Sequence, residues 1–201
     1  MTSVDLNLDE RSDLRERIIA RVHDVQAIPY VWPGPPDAAS VRQRGSGTCA
    51  SKHALLAEEL LSLGVPSLPL LFVGPLVPDV LRNELDCFAG RSLVEVHECL
   101  TVLSPWAGPL RVDVTWDPLL IGRGLEGTRS WDGFGDMEMA ITSDGPGWAA
   151  DRTQLRAAKE ALRKRIYVAG ERELRDRTLR AISDHFARWR SATQTLGRPP
   201  L

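Results

Sequence analysis

GSGTCASKHALLAEELLSLG, residues 45–64, decides how this 201-residue chain is read. From Ala50 onward it is rich in Ala, Leu and Glu, all strong helix formers, and Gly64 stands where a C-terminal cap belongs. Cys49 therefore lies at or near a helix N-terminus. Unpaired N–H groups and the positive end of the helix dipole favour an anion there, so a thiol at that position is biased towards thiolate.

Working outward, the upstream segment predicts a helix over about 9–25, because Leu14, Ile18, Ile19, Val22 and Val25 recur at helical spacing. The following IPYVWPGPPDAAS, residues 28–40, holds four prolines and reads as an ordered crossing loop without regular structure. Downstream, Pro66 opens a strand over LPLLFVG (68–74), and a turn-rich piece follows from Gly74 to Pro78. SLVEVHECLTVL (92–103) is the clearest strand, with Val94, Val96, Leu100 and Val102 on one face and Glu95, His97, Cys99 and Thr101 on the other. SPWAGP is a turn, and LRVDVTW (110–116) is a second strand in which Val112, Val114 and Trp116 alternate with Arg111, Asp113 and Thr115.

From Gly122 to Gly147 the chain is rich in Gly, Trp and Asp and reads as long loops. These loops either cover a cleft as a lid or are anchored by Trp131, Phe134 and Trp148 in the core. Two closing helices carry Leu155, Ala158, Leu162 and Ile166, then Leu174, Ala181, Ile182, His185 and Trp189, and TLGRPPL reads as a frayed end. The order predicts one α+β domain over 1–201 with an antiparallel sheet. Its parts are an N-terminal helix and Pro-rich loop (1–39), a core (40–120), loops (121–150) and C-terminal helices (151–193).

The two strands carry a geometric expectation. A hairpin centred on Pro105 puts His97 opposite Asp113 on one polar face, with Cβ atoms roughly 5 Å apart. The other, apolar face forms the core, which leaves the polar face to look at the helix led by Cys49. A carboxylate that orients an imidazole, and an imidazole that takes a thiol proton, make Cys49 a nucleophile able to form a thioester. The Cys49 N–H is a natural oxyanion donor, and either Gln43 or Trp32 is a candidate for the second. His53, one helical turn after Cys49, is an alternative base; Lys52 and His53 either line the cleft or pack beneath the hairpin. Asp117 is a rival to Asp113 of the same parity. His23 and His185 fall in helical stripes and read as structural.

Composition narrows the classes. Hydrophobic content of 43% and charged content of 26% are ordinary for a globular protein, and no apolar run approaches membrane-spanning length. Three cysteines and a polar N-terminus without an apolar signal core predict free thiols and a cytoplasmic setting. Cys49, Cys87, His97, Cys99 and Asp113 include zinc-ligand types, but no CxxC or HxxxH pair occurs, and GSGTCASKH lacks the spacing of a phosphate loop. No metal or cofactor is expected. The net charge of −2 divides unevenly: residues 1–150 hold 12 Lys/Arg against 21 Asp/Glu, and residues 151–201 hold 13 against 6. A basic helical face that docks beside an acidic body, or stays solvated, accounts for this better than nucleic-acid binding, because no aromatic interleaving accompanies it.

GTCASKHALLAEELLSLGVPSLPLLFVG, then VEVHECLTVL, then RVDVTWDP, together resemble the transglutaminase-like superfamily of the papain-fold clan, over roughly residues 40–120. The string GTCxxKHALL with RxDVT is similar to an uncharacterised bacterial branch of it. The resemblance implies Cys49 as nucleophile, His97 as base and acid, and Asp113 rather than Asp117 as orienter, since V-D-x-T matches Asp113. It also implies a nucleophile-bearing helix packed on an antiparallel sheet. Gln43, six residues before Cys49, matches the oxyanion glutamine of papain-like proteases. Glu98 and Cys99 follow His97 where the superfamily shows H-x-W. The implied activity is that of a peptidase, amidase or transglutaminase-type acyltransferase on a peptide, protein or small amide. Two other readings stand beside it: acyl transfer from acyl-CoA, as in arylamine N-acetyltransferases, whose D-V-G-F is here Asp113-Val-Thr-Trp, and a catalytically silent binding module.

Overall fold

The computed structural model of the chain describes residues 7–82, 93–143, 145, 147–149 and 151–196. Cys87 and the last five residues of the C-terminal stretch, 197–201, lie outside them. Helix α1 (Leu8–Gln26) opens on a reciprocal cap. The Asn7 side chain accepts the Glu10 N–H, and the Glu10 carboxylate accepts the Asn7 N–H, each at 2.9 Å. Such a cap stabilises a helix by about 1 kcal/mol. Its Ile18, Val22 and Val25 are buried, as the spacing predicts.

Helix α2 (Ala38–Arg44) begins inside the stretch expected to be irregular. The prolines stop at Pro36, Asp37 then caps the Ser40 N–H at 2.8 Å, and Gly45 ends the helix in the left-handed region. Two turns fit between those signals, and the proline-rich composition masked them. Helix α3 (Cys49–Ser62) has Thr48 as its cap, with the Thr48 N–H donating to Ser51 Oγ at 3.0 Å and the Ser51 N–H to Thr48 Oγ1 at 3.3 Å. Gly64 takes φ +75°, and the Val65 N–H closes the end on the Leu60 carbonyl at 3.0 Å.

Four strands, β1 (Ser67–Pro75), β2 (Val94–Ser104), β3 (Gly108–Val112) and β4 (Trp148–Ala149), form an antiparallel sheet in the order β3-β2-β1-β4. The protein is α+β, as predicted. β4 comes from the segment read as loop; two residues are too few to leave an alternation in the sequence. The β2–β3 hairpin is centred on Trp106, not Pro105: Ser104 pairs with Gly108 and Leu100 with Val112. Ser104 Oγ accepts the Trp106 and Ala107 N–H groups at 3.3 and 3.2 Å, and Gly108 supplies φ +74°. That chemistry centres a three-residue turn, 105–107, one residue later than expected. The register moves by two, which preserves parity, and β3 ends at Val112. Asp113 is therefore a diagonal neighbour of His97, not a directly opposed one.

The expectation of one core face and one open polar face also gives way. Leu100, Val102, Leu110 and Val112 share a core cluster with Leu55, Leu56 and Leu60 of α3 and with α1. Glu95, His97 and Cys99 on the other parity are equally buried. Helices α4 (Pro118–Ile121), α5 (Leu155–Ile166) and α6 (Glu171–Leu196) complete the structure. A second cluster joins Leu179, Ile182 and Phe186 of α6 to Tyr30, Trp116 and Leu120. The basic C-terminal helices dock on acidic groups: Lys159 on Glu98 at 3.4 Å, Arg163 on Glu95 at 3.0 Å, Arg175 also on Glu95, and Arg190 on Asp117. Among the described residues no helix is long and apolar enough to cross a membrane.

Candidate active site

Cys49 is the first residue of α3, so its N–H and that of Ala50 have no acceptor within the helix. It opens onto a cavity of about 560 Å³ that His97 also lines. His97 lies near enough to Cys49 for its charge and its ring N–H to favour the thiolate. On its far edge, His97 Nε2 meets Asp113 Oδ2 at 2.6 Å, which leaves Nδ1 for the thiol. Two backbone donors hold the carboxylate: the Thr115 N–H reaches Oδ1 at 3.0 Å and the Ala140 N–H reaches Oδ2 at 2.9 Å. Cys49, His97 and Asp113 thus come together in one place, with His97 hydrogen-bonded to Asp113, although Asp113 lies beyond the last ladder pair.

The electrostatics follow from burial and pairing. Burial would lower the His97 pKa, yet the Asp113 charge and hydrogen bond, with those of Cys49, hold it up at about 10. Burial would raise the Cys49 thiol, but the Lys159 charge and the His97 hydrogen bond and charge outweigh it and hold the thiol below its ordinary value. Burial likewise opposes ionisation of Asp113, and His97 and His53, with the Ala140 N–H, keep it far below the usual carboxylate range. Both shifts favour the thiolate–imidazolium form of the pair.

His53 is not the base. Val114 N–H can only donate, and it donates to His53 Nε2 at 3.0 Å. The ring proton is then on Nδ1, where the Cys49 carbonyl accepts it at 2.7 Å. Burial pushes this ring down to about 4, so it is neutral. Lys52 does not line the cleft either. Its Nζ is fully buried and donates to the carbonyls of Gln26, Ile28 and Thr115 at 3.0, 2.7 and 3.0 Å, three acceptors for the three donors of an ammonium. Both side chains pack beneath the site, which is one of the two placements the sequence allowed.

Gln43 is exposed on α2, away from the cavity, so it is not an oxyanion donor. The helix α2 that the sequence hid carries it outward. Trp32 does line the cavity, its N–H donating to Ser183 Oγ at 2.9 Å and its ring carrying Arg175 at 4.8 Å. Asp117 caps α4 through the Leu120 N–H at 3.3 Å and pairs with Arg190, so it orients no histidine. Cys99 is buried, and burial with the Asp113 charge keeps it a thiol. Among the described residues no group of three metal-binding side chains occurs.

Three features escape sequence reasoning. Tyr30 lines the cavity, and burial, then the charges of Cys49 and Glu95, keep its phenol protonated and able to donate. Lys159 brings charge to Cys49 from more than a hundred residues away, and the row Arg156, Lys159, Arg163 at helical spacing was the available signal. The loop behind Asp113 supplies the Ala140 N–H. In that segment Trp131 is a core anchor, but Phe134 and Trp148 are 57% and 47% exposed, and neither is core nor lines the cavity. His23 accepts the Trp131 N–H at 3.2 Å, and His185 stacks edge-on with Trp189 at 4.6 Å, both structural contacts.

Scaffold and site define a class: an α+β protein with a Cys–His–Asp line at a helix N-terminus beside a cavity. Comparisons with protein-family models, with curated proteins and with solved structures find no match.

Proposed function

We propose that this protein is a cysteine-nucleophile enzyme of transglutaminase-like type that cleaves or transfers the acyl group of an amide through a thioester on Cys49. The observation that carries this is Cys49 at the start of α3 sharing a cavity with His97, whose far nitrogen is hydrogen-bonded to buried Asp113. The order of parts supports the papain-like core: a nucleophile helix packed on an antiparallel sheet, histidine on one strand, aspartate just past the next.

The chemistry follows from the thiolate–imidazolium form. The Cys49 thiolate attacks the amide carbonyl carbon, and the developing oxyanion takes the Cys49 N–H. His97 passes its Nδ1 proton to the departing amine as the C–N bond breaks, which leaves a thioester and a neutral imidazole. The imidazole then takes a proton from water or an acceptor amine as either attacks the thioester, and free thiolate returns. Asp113 holds the ring throughout and stabilises its charged form.

Iodoacetamide tests the nucleophile. Cys49 is expected to be alkylated at least tenfold faster than Cys87 and Cys99, as measured by peptide mass mapping. Equal labelling of the three thiols sinks the assignment. Intact-mass analysis after exposure to cell extract is expected to find an acyl adduct in the wild type and none in Cys49→Ala.

A further inference from the structure

The wall of the cavity opposite α3 is built by α5 and α6, and its charges do not balance. Arg156, Lys159, Arg163 and Arg175 line it against only Glu95 and Glu98. Lys159 is matched by Glu98, and Arg163 and Arg175 share Glu95, with Asp176 also on Arg175. Arg156 has no ion pair among the described residues, and it is exposed at the edge of the same cavity. Positions 156, 159 and 163 are one row of α5, so the pairs formed by Lys159 and Arg163 fix the helix face that presents Arg156. Across the cavity, Cys49 and His97 together carry no net charge whichever of them holds the shared proton. A volume of about 560 Å³ suits a small molecule.

We infer that the acyl substrate is a small anionic compound whose carboxylate or phosphate is held by Arg156 while its carbonyl lies at Cys49. This rests on Cys49 being the reacting thiol. A neutral amide would leave the guanidinium with no work in binding, and an anion gains a fixed partner at the mouth without disturbing the ion pairs of Glu95 and Glu98. Arg156 is thus a specificity residue, recognising charge some way from the bond that reacts.

Iodoacetate and iodoacetamide provide the test, because they are nearly the same size and differ in charge. In either reaction the thiolate forms a C–S bond and iodide leaves. The ratio of the two alkylation rates at Cys49, relative to the same ratio for free cysteine, reads the field of the cavity. The ratio is expected to favour iodoacetate in the wild type and to fall as salt rises. It should drop roughly threefold in Arg156→Gln and roughly tenfold in Arg156→Glu, the effect of one and two unit charges at partly screened range. A ratio unchanged in both variants overturns the inference. Failure of the nucleophile itself shows in a separate number, the absolute iodoacetamide rate falling to that of an ordinary thiol. The source of the anion is read by protection of Cys49 from iodoacetamide in the wild type but not in Arg156→Glu: succinate protecting identifies a carboxylate, and inorganic phosphate protecting identifies a phosphate group.

Discussion

The floor beneath Cys49 and the wall facing it each hold one lysine and one histidine near the thiol, yet they behave oppositely. On the floor, His53 Nε2 lies 3.5 Å from Asp113 Oδ1 and Lys52 is enclosed. Both meet backbone groups, and burial drives the ring to about 4 and the ammonium towards about 7. On the wall, His97 and Lys159 meet carboxylates and the thiol, and His97 is held up at about 10. Two imidazoles, with centroids 6.3 Å apart, thus take different protonation states because one has a fixed N–H aimed at it and the other an oxygen anion. Partner identity decides, since both are equally buried. The floor builds, and the wall holds the groups of the proposed chemistry.

The sharpest way to break this contrast is to remove the reactive ring. His97→Ala should slow iodoacetamide alkylation of Cys49 at neutral pH by roughly a hundredfold, because burial then dominates and the thiol reprotonates. His53→Gln should slow it far less. If the two variants lose reactivity equally, the division of labour between floor and wall is wrong. Next in size comes Lys52→Met. Three carbonyls of Gln26, Ile28 and Thr115 lose their donor, and stability measured by urea titration should fall by about 4 kcal/mol. A change under 1 kcal/mol would mean that water replaces the ammonium and that the floor is not built on it.

The sequence made these two regions unequally legible. Cys49, His97 and Asp113 could be read because each is placed by a local rule: Gly64 and the Ala/Leu run set the helix, and strand parity sets the two faces. Parity survived even where the register did not, since the turn around Trp106 shifted the pairing by two residues and not one. Gln43 failed as an oxyanion donor because spacing says nothing of direction once Asp37 starts a separate helix. The roles of Lys52 and Lys159 depend on contacts across 63 and 61 residues, with Thr115 and Glu98, which no local pattern encodes. The positive balance of the last fifty residues was visible, but only the fold shows that much of it faces Glu95, Glu98 and the cavity.

The pH dependence of stability sharpens the floor. His53 has a folded pKa near 4 against about 6.5 unfolded, so the folded state binds fewer protons. Its contribution is complete above about pH 6.5 and is lost as pH falls towards 4, by about 3 kcal/mol. The difference in unfolding free energy between wild type and His53→Gln should therefore shrink over that window. A difference that stays flat from pH 7 to pH 4 would mean the ring titrates alike in the folded and unfolded protein and gains its proton near pH 6.5 in both. The Val114 N–H would then need another acceptor.

The smallest effect belongs to the far wall. Lys159 is the first of the groups that favour the Cys49 thiolate, and it reaches the site only because Glu98 anchors α5 on β2. Lys159→Met alone would leave Glu98 buried and unpaired, and folding would suffer for a reason unrelated to the thiol. The informative variant is Lys159→Met with Glu98→Gln, which removes the pair together. The midpoint of Cys49 alkylation against pH should then rise by about half a unit to one unit, less than the shift in His97→Ala, because a charge is lost without a hydrogen bond. Added salt should change the wild-type midpoint little, since the pair is shielded from solvent. If the midpoint stays in place, Lys159 only holds α5 down, and His97 and the helix N-terminus carry the thiolate alone.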